Sequence, residues 1–226
     1  WKGRVFLSFD LDWCTDEVLE YTIDLVEQAG APATWMVTHE TPLLERLSAN
    51  ENFEIGIHPN FEPLFNGDLS KGASARQVID KILTVIPRAK IVRSHSMAQS
   101  NHLLDLFKSA GMHRDLNQFI PAHVEGNLSP WRHWNGLIRI PTFWEDDIHI
   151  LYDYGDTMDP FLTKPGLRVF NFHPIHVYLN TEKQSRYEQA REDFGDIKKL
   201  CSRQNKHQIG TKTHLDMLLQ NAKKCC

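Results

Sequence analysis

Two aspartates close the first apolar run of the chain, which reads Val5, Phe6, Leu7, Ser8, Phe9, Asp10, Leu11, Asp12. Strand side chains alternate, so Asp10 and Asp12 are expected on one side together with Ser8 and Phe6. Two close carboxylates repel unless a cation or a shared proton relieves them. One can then ligate a metal while the other accepts a proton, the division of labour that metal-assisted hydrolysis requires. The plainer alternative is a helix cap beside a solvated acid.

Later apolar runs end in imidazoles. Glu54–Ile57 is followed by His58, with Asn60 and Glu62 close behind, and Gly56 leaves room for another backbone to approach. Ile91–Val92 is followed by Arg93 and His95, and the run through Phe170 and Phe172 ends in His173 and His176. A neutral imidazole is a good ligand for zinc or a similar ion, and a guanidinium can hold a carboxylate. A lone histidine at such a place is usually structural. Three runs delivering histidine to one rim point instead to a metal or proton-transfer site. Trp144 to Asp147 adds an acidic cluster after Leu137–Pro141, which either orients Arg93 or caps the next segment. Trp13, Trp131, Trp134 and Trp144 offer a sugar-stacking surface or ordinary packing.

Positioning these groups requires strands that deliver their C-terminal ends to one side. Short apolar runs at Val5–Phe9, Thr34–Val37, Glu54–Ile57, Ile91–Val92, Leu137–Ile140 and Leu167–Phe172 alternate with helical periods. Those periods cover Glu17–Ala29, Pro42–Leu47, Val78–Ile86 and Asn101–Ala110, then the amphipathic Glu182–Cys201 and Leu215–Lys223. Ser74 and Gln77 have capping-box spacing ahead of the third, and Asp115–Gly136 reads as an ordered surface excursion. Such alternation implies parallel strands with right-handed crossovers. Six or seven units in 226 residues suit an incomplete or distorted (β/α) barrel, with chemistry at the C-terminal strand ends.

Composition excludes other classes. The net charge is −4, from 25 basic and 29 acidic residues, without the basic stripe that nucleic acid demands. Nor does any apolar run approach the ~18 residues of a membrane span. Cys14 and Cys201 are isolated and Cys225–Cys226 is a vicinal pair, so neither a disulfide framework nor a C-x-x-C zinc motif is present. A reducing cytoplasm is the expected location, and no leader is read in the chain. The sequence does not set an oligomeric state. The 12 histidines are the unusual feature.

In order, Ser8 to Trp13, Glu54 to His58, Arg93 to His95 and Phe170 to His176 resemble the motifs of the polysaccharide deacetylases of carbohydrate esterase family four, the nodulation-type deacetylases. The branch most resembled is that of O-antigen and surface-polysaccharide biosynthesis, and the likeness spans about Val5 to Leu219. It implies one seven-stranded deacetylase barrel over residues 1–226. It further implies removal of N- or O-acetyl groups from a sugar or polysaccharide with one divalent ion, zinc before nickel, cobalt or iron. By the same resemblance Asp10 is the general base, Asp12 and His58 are metal ligands, Arg93 positions the base and His173 is the general acid. Trp144 and Asp146 fall where the family has its fourth motif.

The chain departs from the pattern at two places. The second motif ordinarily carries another histidine where Glu62 stands, and His95 replaces a proline of the third. Either His95 restores the lost ligand, or Glu62 or Asn60 supplies an oxygen, or the barrel has become an inactive carbohydrate-binding module. A rival resemblance is to haloacid-dehalogenase-type phosphatases, through Asp10-Leu11-Asp12, Thr38 and Glu145–Asp147, with magnesium. It leaves His58, His95 and His173 unused, and Trp13-Cys14 stands where Gly-Thr is expected.

Overall fold

The computed structural model describes residues 1–223, so the Cys225–Cys226 pair lies outside the described residues. The first apolar run becomes strand β1 (Val5–Asp10), followed by β2 (Ala33–Val37), β3 (Phe53–Ile57), β4 (Ile91–Val92) and β5 (Arg114–Asp115). Then come β6 (Trp131–Arg132), β7 (Ile138–Arg139), β8 (Trp144–Glu145) and β9 (Arg168–Phe172). Among the described residues these form one sheet in the order β6-β7-β5-β4-β3-β2-β1-β9-β8. All neighbours are parallel except β6 and β7. The sheet has two free ends and curls into a half-barrel, the incomplete barrel expected.

Among the described residues nine strands stand where six apolar runs are read and the resemblance implies seven strands. The additional β5, β6 and β8 are two residues each. So short a strand shows no alternation in sequence, because its hydrogen bonds come from neighbours already in place. The β6 pairing also orders part of the segment read as a surface excursion.

Helices cover the outer face. Asp16–Ala29 ends at Gly30, whose φ of 63° is the left-handed conformation that terminates helices. Ala75–Val85 begins at Ser74, whose hydroxyl accepts from the Gln77 amide at 3.3 Å. The Gln77 side chain reaches one residue further back than a capping box, accepting from the Ala73 amide at 2.7 Å. The expected Glu182–Cys201 helix is divided into Gln184–Ala190, a single 3-10 turn at Arg191–Asp193, and Ile197–Arg203. Gly195 falls in the break, and Asp196 caps the new start by accepting from the Lys198 and Lys199 amides. Asp16–Ala29 packs against Pro174–Leu179 and Thr211–Lys223.

Alternation along β1 divides the sheet into two chemistries. Leu7 and Phe9 face the helices, where the Phe9 ring stacks on Trp35 at 4.4 Å and on Phe172 at 5.8 Å. Ser8 and Asp10 face inward and are buried. Gly56 lets β2, β3 and β4 close up, since a Cβ there would lie 2.6 Å from Met36 Sδ and 3.0 Å from the Ile91 carbonyl. Among the described residues no helix is long and apolar enough to cross a membrane.

Candidate active site

Arg93 follows β4 and runs into the half-barrel, where only 1% of it is exposed. A guanidinium so buried must be matched by acceptors. Its Nη1 donates to Asp10 Oδ1 at 2.9 Å and to Asn171 Oδ1. Its Nη2 donates to Ser8 Oγ at 2.9 Å and Thr142 Oγ1 at 3.1 Å. Asn171 Nδ2 completes the frame by donating to Asp10 Oδ2 at 2.8 Å. Burial opposes ionisation of Asp10, but Arg93, aided by His58 and His173, holds its carboxyl below the usual range. Asp10 is therefore an ionised carboxylate clamped on both oxygens.

Asp12, just past β1, meets two imidazoles. Its Oδ2 lies 2.9 Å from His58 Nε2 and 2.9 Å from His95 Nδ1. One ligand atom from each of the three residues lies within 4.8 Å of the others, and all three side chains are buried. Burial opposes the Asp12 charge, and the two histidines hold it well below the ordinary carboxylate value. The Asp12 hydrogen bond in turn raises His95. Both His58 nitrogens are buried without an aligned hydrogen-bond partner among the described residues. Orphaned buried nitrogens are rare, and a cation between Asp12, His58 and His95 would satisfy one. A carboxylate oxygen and two imidazoles with a fourth position open to water is also a donor set that suits catalytic zinc.

His173 begins the helix after β9. Asp146 grips it twice, accepting from its backbone N–H at 2.8 Å and meeting its Nδ1 at 2.7 Å. Burial disfavours the imidazolium, but Asp146, with Asp147 and Asp10, raises His173 well above an ordinary histidine. The remaining nitrogen, Nε2, lies 4.0 Å from Asp10 Oδ2. The Trp13 indole stacks on this imidazole at 5.6 Å and sits edge-on to His95 at 5.4 Å. Its φ of 54° is the strained left-handed conformation often retained at functional sites.

The other expected residues occupy outlying places. Glu62 Oε1 is 3.7 Å from His95 Nε2 and accepts from Ser96 Oγ at 2.9 Å. Asn60 turns its Oδ1 to the Glu62 amide at 2.9 Å. His176 lies behind His173, with Nδ1 3.1 Å from Thr181 Oγ1, and burial lowers its pKa. Trp144 is in the core with its Nε1 donating to His149 Nδ1 at 3.0 Å, while its neighbour Asp146 reaches the site. Thr38 donates to the Leu11 carbonyl at 3.0 Å.

Asn171 and Thr142 are site residues that the sequence alone does not single out. Asn171 had one signal, a lone amide between Phe170 and Phe172 in a buried strand. The support beneath the Arg93–His95 turn is likewise not apparent from the sequence. The Ser94 amide donates to Asn117 Oδ1 at 2.6 Å, and Asn117 donates twice to Asp115, at 3.0 and 2.7 Å. Asp115 is in turn paired with Arg139.

A cleft of about 570 Å³ opens over Asp10, Asp12, His58, Arg93, His95, Glu145 and His173. A second cleft of about 550 Å³ shares Asp12 and His58 and runs toward Lys71 and Lys81. Each has the volume of a ligand pocket.

A half-barrel with a clamped carboxylate, an Asp–His–His group and a carboxylate-held histidine on one rim is a deacetylase-type (β/α) scaffold. The sequence model of the WbmS-like polysaccharide deacetylases matches residues 7–191, and the chain belongs to that family. It is similar to a Bordetella bronchiseptica structure described as a polysaccharide deacetylase involved in O-antigen biosynthesis. The identity is 43%, with 98% of this chain and 92% of that one covered and a TM-score of 0.93. A Mycobacterium smegmatis structure described as a polysaccharide deacetylase shares the fold at 17% identity, with a TM-score of 0.52 over 98% of this chain and 90% of that one. No curated protein matches the chain.

Proposed function

We propose that this chain, acting as one catalytic domain over residues 1–226, is a metal-dependent deacetylase that releases acetyl groups from a sugar or polysaccharide precursor of surface-polysaccharide biosynthesis. The observation that carries the reading is the convergence of His58 and His95 on one oxygen of Asp12, beside the Arg93-held Asp10 and facing His173. Asp12, His58 and His95 would hold the ion, zinc by its donor set. When bound, such an ion lowers the pKa of water and polarises a carbonyl.

The remaining chemistry belongs to the side chains. Asp10, ionised and fixed by Arg93 and Asn171, is the base that takes the proton of the attacking water. His173, held protonated by Asp146, donates from Nε2 to the departing nitrogen or oxygen of the sugar. The 4.0 Å between Asp10 and His173 keeps base and acid on adjacent faces of one small volume. Arg93 acts through Asp10, because both of its terminal nitrogens are engaged with Asp10, Asn171, Ser8 and Thr142.

Two measurements on the purified protein test this reading: bound metal, and acetate release from acetylated sugars with and without chelator. Stoichiometric metal, chelator-sensitive release, and loss of both on Asp12→Ala or His58→Ala are expected. Metal-independent release, or metal retained by both variants, would sink the assignment.

A further inference from the structure

Three carboxyls on the cleft wall lie outside the chemistry above. Two of them are satisfied: Glu62 accepts from Ser96, and Asp147 accepts from the Ile148 amide at 2.7 Å. Glu145 is different. Its Oε1 is buried with no hydrogen-bond partner among the described residues, yet the side chain lines the same cleft as Asp10 and His173. Strand geometry explains the placement. On β8, Trp144 turns outward into the core, so Glu145 turns inward. The parallel register then sets Glu145 beside Asn171, and Asn171 beside Ser8, in one row across β8, β9 and β1. Ser8 and Asn171 are bound into the Arg93 frame, and Glu145 ends the row at the cleft.

We propose that Glu145 is a substrate-binding residue whose carboxyl hydrogen-bonds a hydroxyl of the sugar ring beside the acetyl group that is removed. The inference rests on the deacetylase reading. Buried polar atoms are almost always paired, so an orphan on a cleft wall points to a partner that arrives with the ligand. Four charged or titratable groups act on Glu145: Asp147, Arg93, Asp10 and His173. Both terminal nitrogens of Arg93 are taken by four acceptors, its buried Nε makes no hydrogen bond to Glu145, and Asp10 can only accept while ionised. Burial, reinforced by Asp147 and by Asp10, pushes the Glu145 carboxyl up to about 8. At neutral pH the group is therefore a neutral acid with one O–H donor and acceptor capacity to spare. A sugar hydroxyl, which both donates and accepts, complements it. An anionic uronate or phosphate at this point would face the charges of Asp10 and Asp147, which disfavour it.

The test is calorimetric binding at pH 7 of methyl glycosides of N- and O-acetylated hexoses, together with their monodeoxy analogues. Wild type, Glu145→Gln and Glu145→Ala are compared, with melting temperature and acetate release recorded for each. For one hydroxyl position, Glu145→Ala is expected to bind the parent sugar about tenfold more weakly. It should bind the matching deoxy analogue as wild type does. Glu145→Gln retains a donor of similar shape and most of the affinity. Wild-type affinity falls as pH rises through about 8, the value to which the carboxyl is raised, and that of Glu145→Gln does not.

The proposal is overturned if Glu145→Ala weakens parent and every deoxy analogue equally, or weakens none. Should that variant fail to fold, wild-type affinity that stays flat through the alkaline range overturns it instead. If wild type neither binds any member of the panel nor releases acetate, the deacetylase reading has failed, and this inference falls with it.

Discussion

Asp146 touches His173 through both carboxylate oxygens, and those two contacts give the imidazole its direction and its charge. In its proposed role as the acid, His173 must hold its proton until the leaving group departs, so activity is expected to be lost as pH rises through its pKa. That pKa lies well above 6.5 because Asp146, with Asp147 and Asp10, outweighs the effect of burial. Asp146→Asn keeps the shape and removes the charge. The alkaline limb of kcat against pH is therefore expected to move down by about one to three pH units, the usual effect of an opposite charge at this range. A limb that stays in place would show that another group supplies the proton. Asp10, Asp12, His58, Arg93 and His173 were readable as candidates because each closes an apolar run with a residue that strands do not favour there. Asn171 and Thr142 were not, since a lone amide or hydroxyl in a strand is chemically unremarkable until its partner across the sheet is known. His95 against Glu62 was also beyond the sequence. Only the turn after β4, fixed by Asn117 through the Ser94 amide, decides that the imidazole and not the carboxylate meets Asp12.

Strand β3 carries His58 to the rim, and its placement depends on a residue without a side chain. A Cβ on Gly56 would press on Met36 Sδ at 2.6 Å, on the Ile91 carbonyl at 3.0 Å and on Ile91 Cβ at 3.2 Å. Met36 can shift, but the Ile91 backbone belongs to β4 and leads directly to Arg93. Gly56→Val is thus expected to lower stability by about 1–3 kcal/mol, the common effect of overpacking. Splaying β3 from β4 separates His58 from His95, so affinity for the proposed metal ion should fall with it. Urea denaturation and metal titration check the two effects separately. Stability lost with metal affinity unchanged would mean that the rim adjusts independently of the strands beneath it. Elements of five or six residues that are mainly apolar, such as β1, β3 and β9, were legible because burial leaves few polar interruptions. The two-residue β5, β6 and β8 were not. Their conformation is imposed by the neighbour they pair with, and β8 in particular concealed the division of Trp144 to the core from Glu145 to the cleft.

At the scale of the molecule, the half-barrel keeps an apolar layer between sheet and helices and a charged interior that opens to the rim. Ionisable groups in so little volume make folding itself depend on pH. One of them lies outside the catalytic rim, where its contribution can be isolated. His214, on the last helix, is 5% exposed, its ring 4.5 Å from that of His149, and its Nε2 has no hydrogen-bond partner among the described residues. Burial, then repulsion from His149, lowers it to about 4 against an ordinary 6.5; a backbone hydrogen bond at Asp156 and the charge of Asp146 only partly oppose this. The unfolded chain takes up a proton at this residue below pH 6.5 while the folded protein does not until near pH 4. Stability must therefore fall as pH drops across that window and be unaffected by His214 above it. At ~1.4 kcal/mol per pH unit the whole difference is about 3 kcal/mol. His149, also lowered by burial, adds a slope of the same sign. Replacing His214 by Leu removes the proton uptake without adding charge, so the variant is expected to lose less stability than wild type between pH 6.5 and 4. Release of the proposed metal ion in acid would mimic the effect, because metal affinity is itself pH-dependent. Urea denaturation of both proteins with chelator present removes that contribution. Parallel stability curves for the two proteins across the window would show that His214 is not the group that senses acid.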